Sequence, residues 1–333
     1  MSAQKCKNYI CFKRFCRRAP IILTFLIVAI FPFSANAFDI LIGTGETETF
    51  SHFAGRMLCR VMNKHSNDLN CRTVPGPGDA HNLTNLQGGS LDIGLIDSRM
   101  LHDAMNKIGY FKFFDISYDN LRTIAPLYDD PVTLVARRDA EIASLDELKG
   151  KRINAGAPRS PQRLVVDTIL KTKKWTKADF SLVGEISASL SQDTMAFCHG
   201  TVQAMVHIGV HPDSSLQKLL KLCEANLVGM YDADIEKLVN DHPAFFKINI
   251  AADTYPSLPT GVSTFGTQAV LVVSQDLDAQ TAYNIVDAIY SNRKRLKNAH
   301  PALAPLTLDA DRKSVVGIQL HPGAEKYFSE HGN

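Results

Sequence analysis

Five short loops in this chain set hydroxyls, carboxylates and glycines directly before stretches with helical spacing. They are Gly43-Thr44-Gly45-Glu46-Thr47-Glu48-Thr49-Phe50, Pro75-Gly76-Pro77-Gly78-Asp79, Asp97-Ser98-Arg99, Gly156-Ala157-Pro158-Arg159-Ser160 and Gly209-Val210-His211-Pro212. Hydroxyls and the free N–H groups of a helix start hold carboxylates and other small polar groups. The chemistry on offer is capture of a small solute rather than its conversion. A phosphate cradle does not fit the first loop, which lacks the lysine of a P-loop and carries Glu46 and Glu48. There is no Gly-x-Ser-x-Gly elbow, and no residue is assigned a catalytic role. His207 and His211 are four apart, but they fall on a strand end and a turn, so neither a metal site nor a cofactor is expected. Asp129-Asp130 reads as a solvated turn beside Pro131. Catalytic sets are assembled in space, so an enzyme on the same scaffold stays an alternative, as does a ligand sensor or antigen.

The elements between the loops have to bring them to one edge. Residues 40–43, 71–74 and 91–96 read as strands, 52–63 and 79–87 as helices, with Asp79 as a helix cap. This β-α-β-α-β start implies a mostly parallel sheet with helices on both faces. A second α/β unit begins near Pro131, with strands at 132–136, 151–156, 180–183, 202–208 and 226–230. Its helices are 144–148, 162–172, 189–197 and 214–223, the first opened by a Ser144–Glu147 capping box. A strand at 270–273, a helix at 278–293 and a short helix near Glu325 finish the chain. Ligands of open parallel sheets sit beyond the carboxyl ends of the strands, where all five loops fall. The expectation is an α/β protein of two lobes, 38–130 with 266–333 and 131–265. Strand-like crossovers near 126–132 and 262–268 join them, and a hinge closes them on a cleft.

Residues 1–37 read as a cleavable export signal: six Lys and Arg with no acid, an apolar run at 21–31, then Ala35-Asn36-Ala37. The run falls short of the ~20 residues of a spanning helix, so cleavage and release to the periplasm are expected over an uncleaved anchor. The rest of the chain has 30 basic against 34 acidic residues, net −4, which gives no reason to expect a nucleic-acid partner. Three of seven cysteines leave with the signal. The four that remain allow three pairings. Cys59–Cys71 and Cys198–Cys223 are favoured because each pair lies within one compact stretch.

Several motifs, in this order and spacing, carry a family resemblance. They include Ile42-Gly43-Thr44-Gly45 with Thr47 and Thr49-Phe50, and Asn82-Leu83 with Gly89-x-Leu91-Asp92-Ile93. Next come Ser144-Leu145-Asp146-Glu147-Leu148-Lys149-Gly150-Lys151-Arg152, Gly156-Ala157-Pro158-x-Ser160, Cys198-x-Gly200 with Val202-Gln203-Ala204, and Cys223. Last are Tyr255, Thr264-x-Gly266 and the block from Leu320-His321-Pro322-Gly323 to Phe328. From Ile42 to Gly332 the chain resembles the TAXI branch of the TRAP transporter solute receptors. The resemblance implies a type II periplasmic-binding fold and a ligand such as glutamate, glutamine or a related carboxylate. It also implies a TRAP membrane permease as partner and supports the Cys198–Cys223 bridge; a monomer is expected. Carried over by position, the solute-binding set is Thr44, Glu46, Thr47, Thr49, Phe50, Asp79, Asp97, Ser98, Arg159, Ser160, Gly209 and Thr264.

The chain departs from the family pattern where charge matters. Glu46 and Glu48 stand at family glycines, Asp97-Ser98-Arg99 at a Gln-Ser-Asp, Asp79 at a serine, and Arg159-Ser160-Pro161-Gln162 at a Gly-Ser-Gly-Thr. Unpaired carboxylates facing a carboxylate ligand in a closed cleft would cost several kcal/mol. A zwitterionic or cationic solute is therefore expected, unless these side chains turn outward to solvent.

Overall fold

The computed structural model describes residues 38–66, 68–186, 190–306 and 316–331, so the export segment read at 1–37 lies outside the described residues. β1 (Phe38–Thr44) buries Ile40 and Ile42 and ends on the fully buried Thr44. α1 (Phe50–His65) starts where the Thr49 hydroxyl accepts from His52 N at 3.3 Å, and turns Ala54, Leu58, Val61 and Met62 inward along one face. β2 (Leu69–Pro75) lies parallel to β1. α2 (Asp79–Gln87) has Gly78 as its cap, so Asp79 is its first residue rather than the cap expected. β3 (Ile93–Asp97) pairs with the other edge of β1. The segment 97–99, read as a loop, instead opens α3 (Ser98–Met105), with the Asp97 carboxylate accepting from Arg99 N and Met100 N. Eight residues with only Ser98, Leu101 and Ala104 buried give too little periodicity to show in the sequence.

β4 (Leu121–Arg137) runs 17 residues straight through the expected crossover. Beyond it come β5 (Arg152–Asn154), α4 (Pro161–Lys173), β6 (Leu182–Gly184), α5 (Leu190–Cys198) and β7 (Ala204–Ile208). α6 (Ser214–Leu222), β8 (Ala225–Val228), α7 (Ala233–Asp241) and β9 (Phe246–Ile250) follow. β5 is parallel to β6 and β7, while β7 and β8 run antiparallel to the second half of β4. The Ser144–Glu147 capping box forms on a short 3-10 turn. α7 and β9 escaped the sequence reading, since Ile235 is the one buried residue of α7.

β10 (Val262–Ser274) carries the chain back, antiparallel to β9 over 262–266 and to β4 and β3 beyond. The sheet order is β2-β1-β3-β10-β4-β7-β5-β6. Antiparallel pairing is confined to neighbours of β4 and β10, which agrees with the expected α/β class. Gly266 lies where β10 meets Pro131 of β4. A Cβ there would run into the Asp130 carbonyl oxygen and come within 2.8 Å of Pro131 Cα, so the close approach requires glycine. The helix expected over 278–293 is broken at Asn292 into α8 (Ala279–Ser291) and α9 (Arg293–Ala299), and α10 (Pro322–His331) packs on α8.

Ile40, Leu58, Leu271, Ile285 and Tyr327 share one core, and Val132, Ile153, Val166, Phe180 and Phe265 another. Both favoured disulfides are formed. Cys59–Cys71 ties α1 to β2 with Cα atoms 4.8 Å apart, and Cys198–Cys223 ties α5 to the end of α6 at 4.5 Å.

Lys173 holds the second core's edge. Its Nζ lies 2.8, 2.9 and 2.9 Å from Asp146, Asp232 and Asp234, and the side chain is 5% exposed. Burial alone would lower its pKa, but the three carboxylates outweigh burial and hold it above the usual lysine range. Lys173→Met leaves those carboxylates facing one another, and is expected to lower stability by about 2 kcal/mol. A urea-denaturation midpoint equal to that of the unaltered protein would show that the cluster contributes nothing.

Candidate functional site

Three carboxylates meet where β3, β10 and β4 lie side by side. Asp97 ends β3 opposite Ala269 of β10, and Asp130 of β4 pairs with Thr267 of the same strand. Asp79, at the start of α2, accepts from Asp97 N at 3.2 Å. Asp97 accepts from the Thr267 hydroxyl through its second oxygen and from Arg99 N at 2.9 Å through its first. Next door, Asp129 accepts from Gln268 Nε2 at 2.7 Å. The three acids are half-buried.

Burial pushes the Asp79 carboxyl up to about 7, helped by the neighbouring charges of Asp97 and Asp130. Burial lifts Asp130 to about 7 as well, with Asp97 and Asp129 adding to it. Asp97 is also raised by burial, although Thr267 and Arg99 oppose the shift. Burial, with Asp130 and Asp79 adding, holds the Tyr128 hydroxyl well above its ordinary value. Asp130 is thus no solvated turn residue: Pro131 sits inside a long strand that carries the carboxylate inward.

The other residues named from the sequence divide between presentation and scaffolding. Glu46, Thr47, Glu48 and Thr49 are exposed on the first loop. Thr49 is committed to that loop's shape, donating to Glu46 O at 2.7 Å while capping α1. Thr44 is fully buried, 3.0 Å from His52 Nδ1. Phe50 packs edge-on to Tyr128 and His300 at 4.9 and 4.7 Å. Ser98 is fully buried, donating to Ala244 O at 2.9 Å and accepting from Gln268 N at 3.0 Å. Thr264 is equally buried and donates to Val132 O. Ser98 therefore ties α3 to β10 and to the segment before β9, and Thr264 ties β10 to β4. Arg159 is exposed at φ +68°, and Ser160 caps α4 by accepting from Arg163 N at 3.1 Å. Gly209 N lies 3.4 Å from Pro131 O, beside the acidic group.

A cavity of about 460 Å³ opens at the carboxyl end of β7. Its polar wall is Glu48 from the first loop, Gln162 from α4, Thr194 from α5, His207 from β7, and Asp213 and Ser215 at the start of α6. Among the described residues no Lys or Arg lines it. Gln162 is fixed by donating to Val206 O at 2.7 Å. Asp213 caps α6 by accepting from Leu216 N at 2.7 Å, and its own N–H donates to Tyr255 Oη at 2.8 Å. The same Tyr255 hydroxyl lies 2.5 Å from His211 Nδ1, and His211 Nε2 lies 2.8 Å from the Thr133 hydroxyl. Burial pulls the His211 pKa down to about 4 and lowers that of His207 too. Among the described residues no group of His, Cys, Asp and Glu is placed to hold a metal ion.

In a void of this size, the helix starts offer donors to a negative group and the two carboxylates a place for a positive one. Sequence reasoning missed Asp130, Gln162, Thr194, His207, Asp213 and Ser215 as site groups. The Asp213-Ser214 step before an apolar helix was the one available signal, a cap pattern at a strand end.

The fold is shared with a solved solute-binding protein. A TctC solute-binding protein from Polaromonas aligns at a TM-score of 0.55 and 15% identity, over 78% of this chain and 86% of that one. A probable amino-acid ABC transporter extracellular-binding protein from Bacillus subtilis aligns at 0.49 and 12% identity, over 81% and 99%. A putative periplasmic sulfonate-binding protein from Methylobacillus flagellatus aligns at 0.46 and 14%, over 78% and 69%. The first of these likenesses establishes the two-lobed α/β binding-protein fold. Among the described residues no helix is long and apolar enough to cross a membrane. Residues 42–332 match the NMT1-like family, and the chain belongs to that family.

Proposed function

We propose that this protein is the exported solute receptor of a TRAP-type secondary transporter, capturing a zwitterionic or cationic solute of amino-acid size. In this reading the signal at 1–37 is cleaved, and the monomer works in the periplasm. The lobes 38–130 with 266–333 and 131–265 close by a hinge within β4 and β10, and the loaded receptor docks on a membrane permease. One observation carries the ligand class: a cavity of about 460 Å³ bears Glu48 and Asp213, with no Lys or Arg among the described residues of its wall. The acidic group at Asp79, Asp97 and Asp130 is separate from that wall, although Pro131, next to Asp130, meets Gly209 through a backbone hydrogen bond. A dicarboxylate entering such a site loses its hydration without gaining a cationic partner. The receptor, rather than enzymatic, reading is also supported by the likeness to binding proteins.

Isothermal calorimetry on protein freed of endogenous solute tests the ligand class, with L-glutamate, L-glutamine and L-arginine as probes. L-arginine or L-glutamine is expected to bind roughly 100-fold or more tighter than L-glutamate, the equivalent of about 3 kcal/mol. Preference for L-glutamate would overturn the ligand class.

A further inference from the structure

We propose that the His207 ring donates a hydrogen bond to a carboxylate oxygen of the captured solute, an inference that deepens the receptor reading and rests on it. Two histidines four residues apart differ sharply in how they are used. Both nitrogens of His211 are committed, one to the Thr133 hydroxyl at 2.8 Å and one to Tyr255 Oη at 2.5 Å. His207 lines the cavity, and its Nε2 is buried with no hydrogen-bond partner among the described residues. A buried polar atom left unpaired costs about 1–3 kcal/mol, and native proteins keep few of them. His211 is thus part of the scaffold, and His207 is left to meet what enters the cavity.

Gly209 leaves the edge of the ring at Nε2 uncrowded by a side chain. A Cβ at that position would stand 3.1 Å from the nitrogen, and the backbone there has φ +158°. The charges on the wall decide which solute group His207 meets. Glu48 and Asp213 offer two carboxylates to an ammonium or guanidinium group. A solute carboxylate finds no cation among the described residues of that wall, so neutral donors must hold it: an imidazole N–H, the hydroxyls of Thr194 and Ser215, and the start of α6. Burial lowers the basicity of His207, so the ring stays neutral at pH 7 and bonds as a dipole rather than as an ion.

The test pairs a protein change with a ligand change. L-arginine and L-glutamine are titrated alongside agmatine and 4-aminobutanamide, which lack the carboxylate. His207→Leu is expected to weaken the two amino acids about tenfold and to leave the two amines within about twofold. His207→Gln, which keeps an N–H donor, is expected to recover most of the loss, and melting curves establish that both variants fold. An equal loss for acids and amines, or no loss, overturns the role of His207 while the receptor reading stands. Failure of both amino acids to bind the unaltered protein sinks that reading and this inference together.

Discussion

At pH 8, Asp130→Asn raises the melting temperature by roughly 5–10 °C, while at pH 4 it changes the melting temperature little. In the unfolded chain this carboxyl titrates near 3.8, and in the folded protein at about 7. The folded state therefore holds a proton that the unfolded state has released between those values. Stability is full below about pH 4 and is lost as the pH rises through about 7, then levels off. Asp79 follows the same course, with its folded value also at about 7. A tenfold difference in proton affinity between the folded and unfolded chain is worth about 1.4 kcal/mol. A rise of this size makes about 4 kcal/mol an upper figure, and relief shared with Asp79 and Asp97 brings the expected gain to about 2–4 kcal/mol. At about 2–3 °C per kcal/mol for a chain of this length, that gives the stated change in melting temperature. On the receptor reading, the same substitution leaves solute affinity little changed, because Asp130 is not part of the cavity wall. Scanning fluorimetry from pH 4 to 9 checks the first part. A variant that melts below the unaltered protein at pH 8 would show that Asp130 is stabilised as a charge, contrary to its surroundings.

Removing the Cys198–Cys223 bridge by double alanine substitution lowers stability by about 3.5 kcal/mol, and melting by roughly 10 °C. The bridge closes a separation of 25 residues, against 12 for Cys59–Cys71, which is worth about 3 kcal/mol on the same chain-entropy reasoning. Cys59, Cys71 and Cys223 are buried and Cys198 is half-buried between packed elements, so little of the loss is recovered by solvation. The Cys198–Cys223 bridge reaches the cavity as well. It anchors the far end of α6, whose start supplies Asp213 and Ser215 to the wall. Solute affinity is therefore expected to fall more on losing this bridge than on losing Cys59–Cys71. Guanidinium denaturation of each double variant measures the order, and a loss smaller for 198–223 than for 59–71 would contradict the loop-closure account.

The elements with strong periodicity were readable without coordinates. α1 shows Leu58, Val61 and Met62 on one face, and α8 shows Ala282, Ile285, Val286 and Ile289. Both disulfides followed from sequence proximity within compact stretches. α3, α7 and β9 were not readable, because few of their residues are buried in a regular pattern and their places are fixed by neighbours distant in the chain. Ser98 illustrates the difference. Its position before a helix pointed to a ligand, yet its hydroxyl is used on Ala244, 146 residues away.

The chain by itself determined an α/β protein with loops at strand ends, two crossovers in extended chain and two local disulfides, since these rest on periodicity, caps and short spacings. Only the tertiary structure decided which acids act together. Asp79, Asp97 and Asp130 are neighbours because β10 lies between β3 and β4. The register of three strands from three parts of the chain, with the burial it imposes, turned an apparent surface turn at Asp130 into part of a group of carboxyls with raised pKa values. No local pattern encodes that register, because it is set by long-range pairing and close packing.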